Sequence, residues 1–230
     1  MRKLRYVVAA FSLMFLLAGV RARAQASGQL TSVLSQMDAA STKFRSAEAN
    51  FQWDFYERVT KSTSSQAGTI YFDRKNGKTN MGAKIATPSE KYLSYNDGLL
   101  QVFDPKVNTL LKAQAHGNQG QWESFLILGF GASGSDLAKA WNITDQGTET
   151  IDGISTVKLD LVSKDPNVQS MFTHITIWVD PARGISLKQM AYTPSDDVRT
   201  AIYKNIKYNV KVDAKPYEIK PNGKTSVTTR

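Results

Sequence analysis

Cysteine is absent from the whole 230-residue chain, which removes disulfides, thiolate metal sites, a cysteine nucleophile and the lipid-modified cysteine that anchors a bacterial lipoprotein. A chain without such staples must hold itself together by burial, so a single core over about 200 residues is expected in preference to a small cross-linked scaffold. Histidine is nearly missing too, with only His116 and His174, and no carboxylates fall at spacings that would complete a three-ligand zinc site around them. Neither a metal nor a cofactor is expected. Arginine-rich stretches are lacking and the basic residues are interspersed with acids, which speaks against a nucleic-acid surface. After the first two dozen positions no apolar run approaches the roughly 20 residues that span a bilayer.

Those first positions carry Arg2, Lys3 and Arg5, an apolar run from Val7 to Val20, and then Ala22-Arg23-Ala24. This is the layout of a secretory signal peptide, and the run is short for the competing reading of a membrane anchor. Residues 1–24 are therefore expected to be removed, with cleavage after Ala24 or Ala26, leaving a soluble periplasmic chain. Arg2, Lys3, Arg5, Arg21 and Arg23 leave with the segment and no acid does, so the formal charge falls from +9 to +4. A mildly basic surface of this kind is compatible with transient contact with anionic membrane headgroups.

Further along, Leu30, Val33, Leu34, Met37 and Phe44 recur at the three-and-four spacing of an amphipathic helix. The period then changes. In Phe51-Gln52-Trp53-Asp54-Phe55 aromatic and polar residues alternate, which puts three large rings on one face of a strand. Further strands are expected at Thr69 to Arg74, Thr79 to Ile85, Lys91 to Asn96, Leu99 to Phe103 and Thr109 to Ala113. Asn76-Gly77 and Asp97-Gly98 supply the tight hairpins that make these strands antiparallel. Trp122, Phe125, Leu126 and Gly129 fall at helical spacing, and Ser135 to Trp141 reads as a second short helix. Strands resume at Trp141 to Asp145, Thr156 to Val162, Phe172 to Asp180, Ser186 to Tyr192 and Val198 to Val210, and the last alternates poorly, as a strand partly facing solvent would. Residues 27–220 form the expected domain, and 221–230 a flexible tail. Two helices are too little to cover ten or more strands from outside, so the expected fold is mainly β: one curved antiparallel sheet in an incomplete barrel, with the N-terminal helix and the central helical insert as its lid.

Several motifs imitate chemistry. Gly129-Phe130-Gly131-Ala132-Ser133-Gly134 fits G-x-G-x-x-G, but a dinucleotide site needs a parallel strand-helix-strand unit and a long helix, neither of which is expected here. A hinge between two short helices is the better reading for Gly129, Gly131 and Gly134. Gly77-Lys78-Thr79 and Gly223-Lys224-Thr225 end like a P-loop, yet Phe72 and Glu218 stand where its first glycine belongs. No G-x-S-x-G elbow accompanies His174. Asp54 and Glu57, an odd number apart, face opposite sides of a strand and form no carboxylate pair.

The strongest signal is the apolar excess on one face: Phe51, Trp53, Phe55, Ile70, Phe72, Met81, Ala83 and Ile85, joined by Trp122, Phe125, Leu126 and Leu128 of the insert. Pattern alone leaves open whether this face packs into a filled core or lines a hollow.

Three pieces, in this order and spacing, resemble the LolA family of periplasmic lipoprotein carriers. They are Asp97-Gly98 followed by Val102-Phe103-Asp104-Pro105, the strand end Ile177-Trp178-Val179-Asp180, and Asn205-Ile206-Lys207-Tyr208-Asn209 leading to Tyr217-Glu218-Ile219-Lys220-Pro221-Asn222-Gly223. The resemblance covers the chain from about Leu30 to Gly223. It implies a non-enzymatic chaperone for lipoprotein transport, with an apolar cavity that receives the acyl chains of lipoproteins or other acylated lipids. An inner-membrane transporter would load it and an outer-membrane acceptor unload it. Phe51, Trp53, Phe55, Ile70, Phe72, Met81, Ile85, Trp122, Phe125, Leu126, Leu128 and Ile177 would line the cavity, and Gly129, Gly131 and Gly134 would let the lid move. The family's arginine-proline pair before the third strand is replaced by Phe72-Asp73-Arg74-Lys75, which makes Arg74 the candidate lid latch. A lipid- or lipoprotein-sensing regulatory domain of the same fold is the alternative, and a hydrolase using His174 the third class.

Overall fold

The computed structural model describes residues 28–114 and 128–229. The apolar N-terminal run and its cleavage sites, and Trp122, Phe125 and Leu126 of the insert, lie outside the described residues.

Helix α1 covers residues 28–43. It is followed by strands β1 (Ser46–Glu57), β2 (Ser62–Lys75), β3 (Lys78–Thr87), β4 (Lys91–Asn96), β5 (Leu99–Asp104) and β6 (Thr109–Gln114). After the insert come α2 (Gly134–Ala140), β7 (Trp141–Ile151), β8 (Ile154–Ser163), α3 (Pro166–Met171), β9 (His174–Asp180), β10 (Ile185–Tyr192), β11 (Val198–Tyr208), a 3-10 turn at Lys215–Tyr217 and β12 (Ser226–Thr229). All twelve strands form one curved, unclosed sheet in the order β12-β6-β5-β4-β3-β2-β1-β11-β10-β9-β8-β7.

Local chemistry explains the meander. Asn76-Gly77, Asp97-Gly98 and Asp152-Gly153 all have positive φ at both positions, 53° and 77°, 50° and 79°, and 48° and 77°. These are two-residue turns whose twist matches the strands they join. The two halves meet where β1 pairs with β11, in a register that sets Phe51 against Tyr203, Trp53 against Ala201 and Phe55 against Arg199.

The structure departs from the sequence reading at several elements. The strand expected from Phe172 begins at His174, because Asp165 caps a short helix by accepting from the Asn167 N–H (2.8 Å) and Pro166 fits its first turn. β7 runs on past Asp145 to Ile151; the turn-like Gly147, at φ 91°, sits in a bulge inside the strand and not at its end. Residues 221–230, expected as a flexible tail, contain β12. This strand pairs parallel to β6, so the sheet is not antiparallel throughout. Its anchor is polar: the Thr225 hydroxyl donates to Asn108 Oδ1 (2.7 Å) and the Asn108 amide to Asn222 Oδ1 (3.2 Å).

Two apolar clusters occupy the concave side. One joins Val33 and Met37 of α1 and Leu137 of α2 to Leu159, Leu161, Ile175, Ile177 and Val179. The other joins Phe44, Phe51, Ile70, Phe72, Met81, Ile85 and Tyr95 to Phe130, Ile185 and Tyr203. Gly68 lies in the floor of the second, where a β-carbon would run into the Lys84 backbone carbonyl of the neighbouring strand. A backbone group in a ladder cannot step aside, so Gly68→Ala is expected to cost about 1–3 kcal/mol. Gly223→Ala, which meets nothing within 4 Å, serves as the control in urea unfolding. Equal midpoints for the two variants would contradict this packing.

Candidate functional site

Strand alternation sends Phe51, Trp53 and Phe55 of β1 to the concave face, beside Ile70 and Phe72 of β2 and Met81 of β3. From the other half of the sheet the same face receives Ile175, Gln189, Ala191, Arg199, Ala201 and Tyr203. Ala191 and Ala201 are too small to fill the space that their neighbours enclose. What remains is an apolar cavity of 210 Å³, lined by Trp53, Phe55, Ile70, Phe72, Met81, Leu93, Ile175, Gln189, Ala191, Arg199, Thr200, Ala201 and Tyr203. The Tyr203 phenol at its inner end is pushed up to about 12 by burial, which a hydrogen bond with the Trp53 side chain opposes. It therefore stays neutral, as a hydroxyl in a dry pocket does.

Of the residues expected from sequence, Trp53, Phe55, Ile70, Phe72 and Met81 do come together at this cavity. Phe51 and Ile85 are buried beside it, Phe51 with its ring 4.1 Å from that of Trp53, and they support the wall without lining it. Leu128 and Ile177 belong to the other cluster, under α1. The β10 and β11 contributions were missed. Their alternation is carried by Gln189, Ala191, Arg199 and Ala201, residues that do not read as a buried face; only register with β1 reveals them.

Above the sheet, α1, α2 and the glycine segment behave as one unit. Asp38 Oδ1 accepts from both the N–H and the hydroxyl of Ser135, at 2.9 Å each, fastening α1 to the start of α2. Ser133 caps α2 by accepting from the Asp136 N–H (3.0 Å). Phe130 bridges to Ile185, flanked by Ser186 N–H to Gly129 O (2.6 Å) and Gly131 N–H to Gly184 O (3.2 Å). The glycines are places of close approach. At Gly129 a β-carbon would strike Ser186, at Gly131 the Phe44 ring, and at Gly134 the Leu34 backbone.

Arg74 ties this unit to the sheet. Its Nη1 donates to Ser41 O at the end of α1 (2.7 Å) and its Nη2 to Gly131 O (2.5 Å), while its guanidinium carbon lies 5.3 Å from the centre of the Phe44 ring. Burial, and then the charge of Arg45, lowers its pKa from the ordinary arginine value. The Ser41 hydroxyl also donates to Gly131 O (2.7 Å). Asn209, at the end of β11, completes the fastening: its amide donates to Lys43 O (3.0 Å) and its Oδ1 accepts from the Arg45 N–H (2.7 Å). Behind Arg74 lies a larger cavity of 450 Å³, but Lys78, Ser133 and Asp136 are among its lining residues, and a hydrocarbon would gain little from them.

The imitated motifs are accounted for. The G-x-G-x-x-G run is antiparallel to β10 through Phe130, and the helix after it is two turns long. The ring of His174 stacks on Tyr192 (4.2 Å, 15°), with Nδ1 3.2 Å from the Thr173 hydroxyl. Among the described residues no group of three or more histidines, cysteines or acids could hold a metal ion, and no helix is long and apolar enough to cross a membrane.

A curved, unclosed sheet with an apolar concave side and helices fastened over it is an incomplete barrel with a helical cover. No protein-family model matches the chain, and no curated protein matches it. Solved structures do. A chain of the Pseudomonas aeruginosa MucA/MucB complex superposes with a TM-score of 0.53 at 14% identity, over 84% of this chain and 61% of that one. An uncharacterized conserved protein from Thermus thermophilus gives 0.54 at 10% identity, over 87% and 98%. A LolA superfamily protein from Nitrosomonas europaea gives 0.40 at 14% identity, over 82% and 97%. At such identities the first two likenesses are of fold alone. The chain spans about three fifths of the length of the MucA/MucB-complex chain that it matches.

Proposed function

We propose that this protein is an exported, non-enzymatic periplasmic carrier that shields the acyl chains of lipoproteins in its concave cavity and moves them from the inner to the outer membrane. The observation that carries the reading is the apolar space between Trp53, Phe55, Ile70, Phe72 and Met81 on one side and Ala191 and Ala201 on the other. Exposing an acyl chain to water costs about 0.8 kcal/mol per methylene. A cavity as apolar as a membrane removes that cost at both ends of the journey, so cargo can be accepted and surrendered. The space exceeds the roughly 150 Å³ that accepts a benzene-sized guest and falls short of the roughly 300–1,000 Å³ of larger ligand sites. It takes part of a chain as it stands, and a whole one once the helical cover lifts. An inner-membrane transporter would load the carrier and supply the energy, and an outer-membrane acceptor would unload it.

Sensing, the function of a regulatory domain that binds lipid without moving it, shares every contact with this cavity. Transfer of a labelled lipoprotein between two vesicle populations separates the two readings.

The cavity itself is tested by filling it. The mature protein is expected to raise the fluorescence of an apolar dye and a lipoprotein to compete, while Ala201→Phe weakens dye binding at least about tenfold, or 1.4 kcal/mol, with the circular dichroism unchanged. Trp53→Gln is expected to weaken it as well. Absence of dye binding by the unaltered protein, or binding indifferent to both changes, overturns the reading.

A further inference from the structure

We infer that, besides the acyl chains of lipoproteins, this cavity takes an amphiphile with an anionic head, and that Arg199 at the rim holds that head; the inference rests on the acyl-chain reading above. The inner-facing row of β11 runs Arg199, Ala201, Tyr203, from an exposed arginine to a buried phenol. The cavity therefore has a polar rim and an apolar depth along one strand, the gradient of an extended single-chain lipid.

Two rings hold the guanidinium. Its central carbon lies 5.8 Å from the centre of Phe55, its register partner on β1, and 5.9 Å from that of Phe172 at the end of α3. Arginine is weakly hydrated and stacks well on aromatic faces, so this placement is favourable in itself. Stacking occupies the faces of the group and leaves its edge, where all five N–H donors lie, free to meet a ligand.

Among the described residues no carboxylate takes those donors. Among the described residues Arg199 makes no ion pair and no side-chain hydrogen bond. The nearest acid in sequence, Asp197, feels the charge of Arg199 but spends its oxygens elsewhere: its Oδ1 accepts from the Arg58 N–H (2.9 Å) and its Oδ2 from the Ser195 hydroxyl (2.8 Å). Arg58 pairs in turn with Asp196 (3.4 Å). Among the described residues Arg199 is the one cation lining the cavity, and no acid lines it. A planar fork of donors at the mouth of a hydrocarbon pocket fits a carboxylate or a phosphate bidentately.

The experiment uses the mature full-length protein and three probes with the same oleyl tail: oleate, oleyl phosphate and oleyl alcohol, each displacing a bound apolar dye. The unaltered protein is expected to bind the two anions at least about tenfold more tightly than the alcohol. Arg199→Met, which keeps an apolar stem against Phe55, brings all three to the affinity of the alcohol, and Arg199→Lys restores part of the difference. The ratio of oleate to oleyl phosphate tells which head the site prefers. Equal binding of all three probes with no effect of Arg199→Met overturns the head-group assignment and leaves the hydrocarbon cavity standing. Failure of every probe to bind overturns both.

Discussion

Phe130→Ala is expected to lower the stability of the protein by about 3–5 kcal/mol, the cost of truncating a buried aromatic. Phe130 is wholly buried. Its ring stacks on Phe72 (4.0 Å, 12°) and meets Tyr203 edge-on (4.8 Å, 84°), so one side chain from the glycine segment touches both halves of the sheet. The flanking bonds to Gly184 and Ser186 hold the backbone in place, which keeps the wall from collapsing into the vacated space, and incomplete collapse is what makes such truncations costly. Phe72 and Tyr203 both line the apolar cavity. The hole left behind therefore opens onto it, and the variant should accept bulkier apolar guests while unfolding at lower urea. Urea titrations of the two proteins at equal m-value measure the loss. A shift below about 1 kcal/mol would mean that the segment rests on the sheet without packing into it.

Much of this architecture was legible before any coordinates. The hairpins at Asn76-Gly77 and Asp97-Gly98 follow from residues that tolerate positive φ, and α1 and the aromatic face of β1 from their periods. What escaped depends on partners distant in sequence. Ser226-Val227-Thr228-Thr229 has too little apolar pattern to announce a strand, and becomes one because β6 offers an unpaired edge. The row Arg199, Ala201, Tyr203 reads as indifferent until its register against Phe55, Trp53 and Phe51 is known. The glycines of the insert illustrate a different limit. Sequence advertises their conformational freedom, while the contacts show that Gly129, Gly131 and Gly134 are also needed because nothing larger fits. Any opening of the cover must break the bonds between residues 129–131 and 184–186 and then re-form them.

Arg74→Met is expected to loosen the helical cover selectively, with a stability loss of about 2–3 kcal/mol. Hydrogen bonds to charged groups contribute about 1.5–3 kcal/mol each, and Arg74 makes two, to Ser41 O and Gly131 O. Relief of the burial that depresses its pKa offsets part of their loss. The cation also faces the negative end of α1, where a positive charge is favoured. Arg74→Lys should recover little, since a single ammonium does not span two carbonyls held in a fork. Hydrogen exchange distinguishes a latch from a general prop. In the variant, amides of α1 and α2 should lose protection while those of β8 to β10 keep theirs, and dye should associate faster. Uniform loss of protection across helices and sheet would refute the latch. The magnitudes also fit the proposed work. A latch of a few kcal/mol holds the helices on the sheet, and it is small beside the roughly 12 kcal/mol that a sixteen-carbon chain would lose if it were left in water. Because transfer from a membrane to an equally apolar cavity is nearly balanced, the few kcal/mol needed to open the latch would come from the loading step, and removal of the chain lets the latch close again.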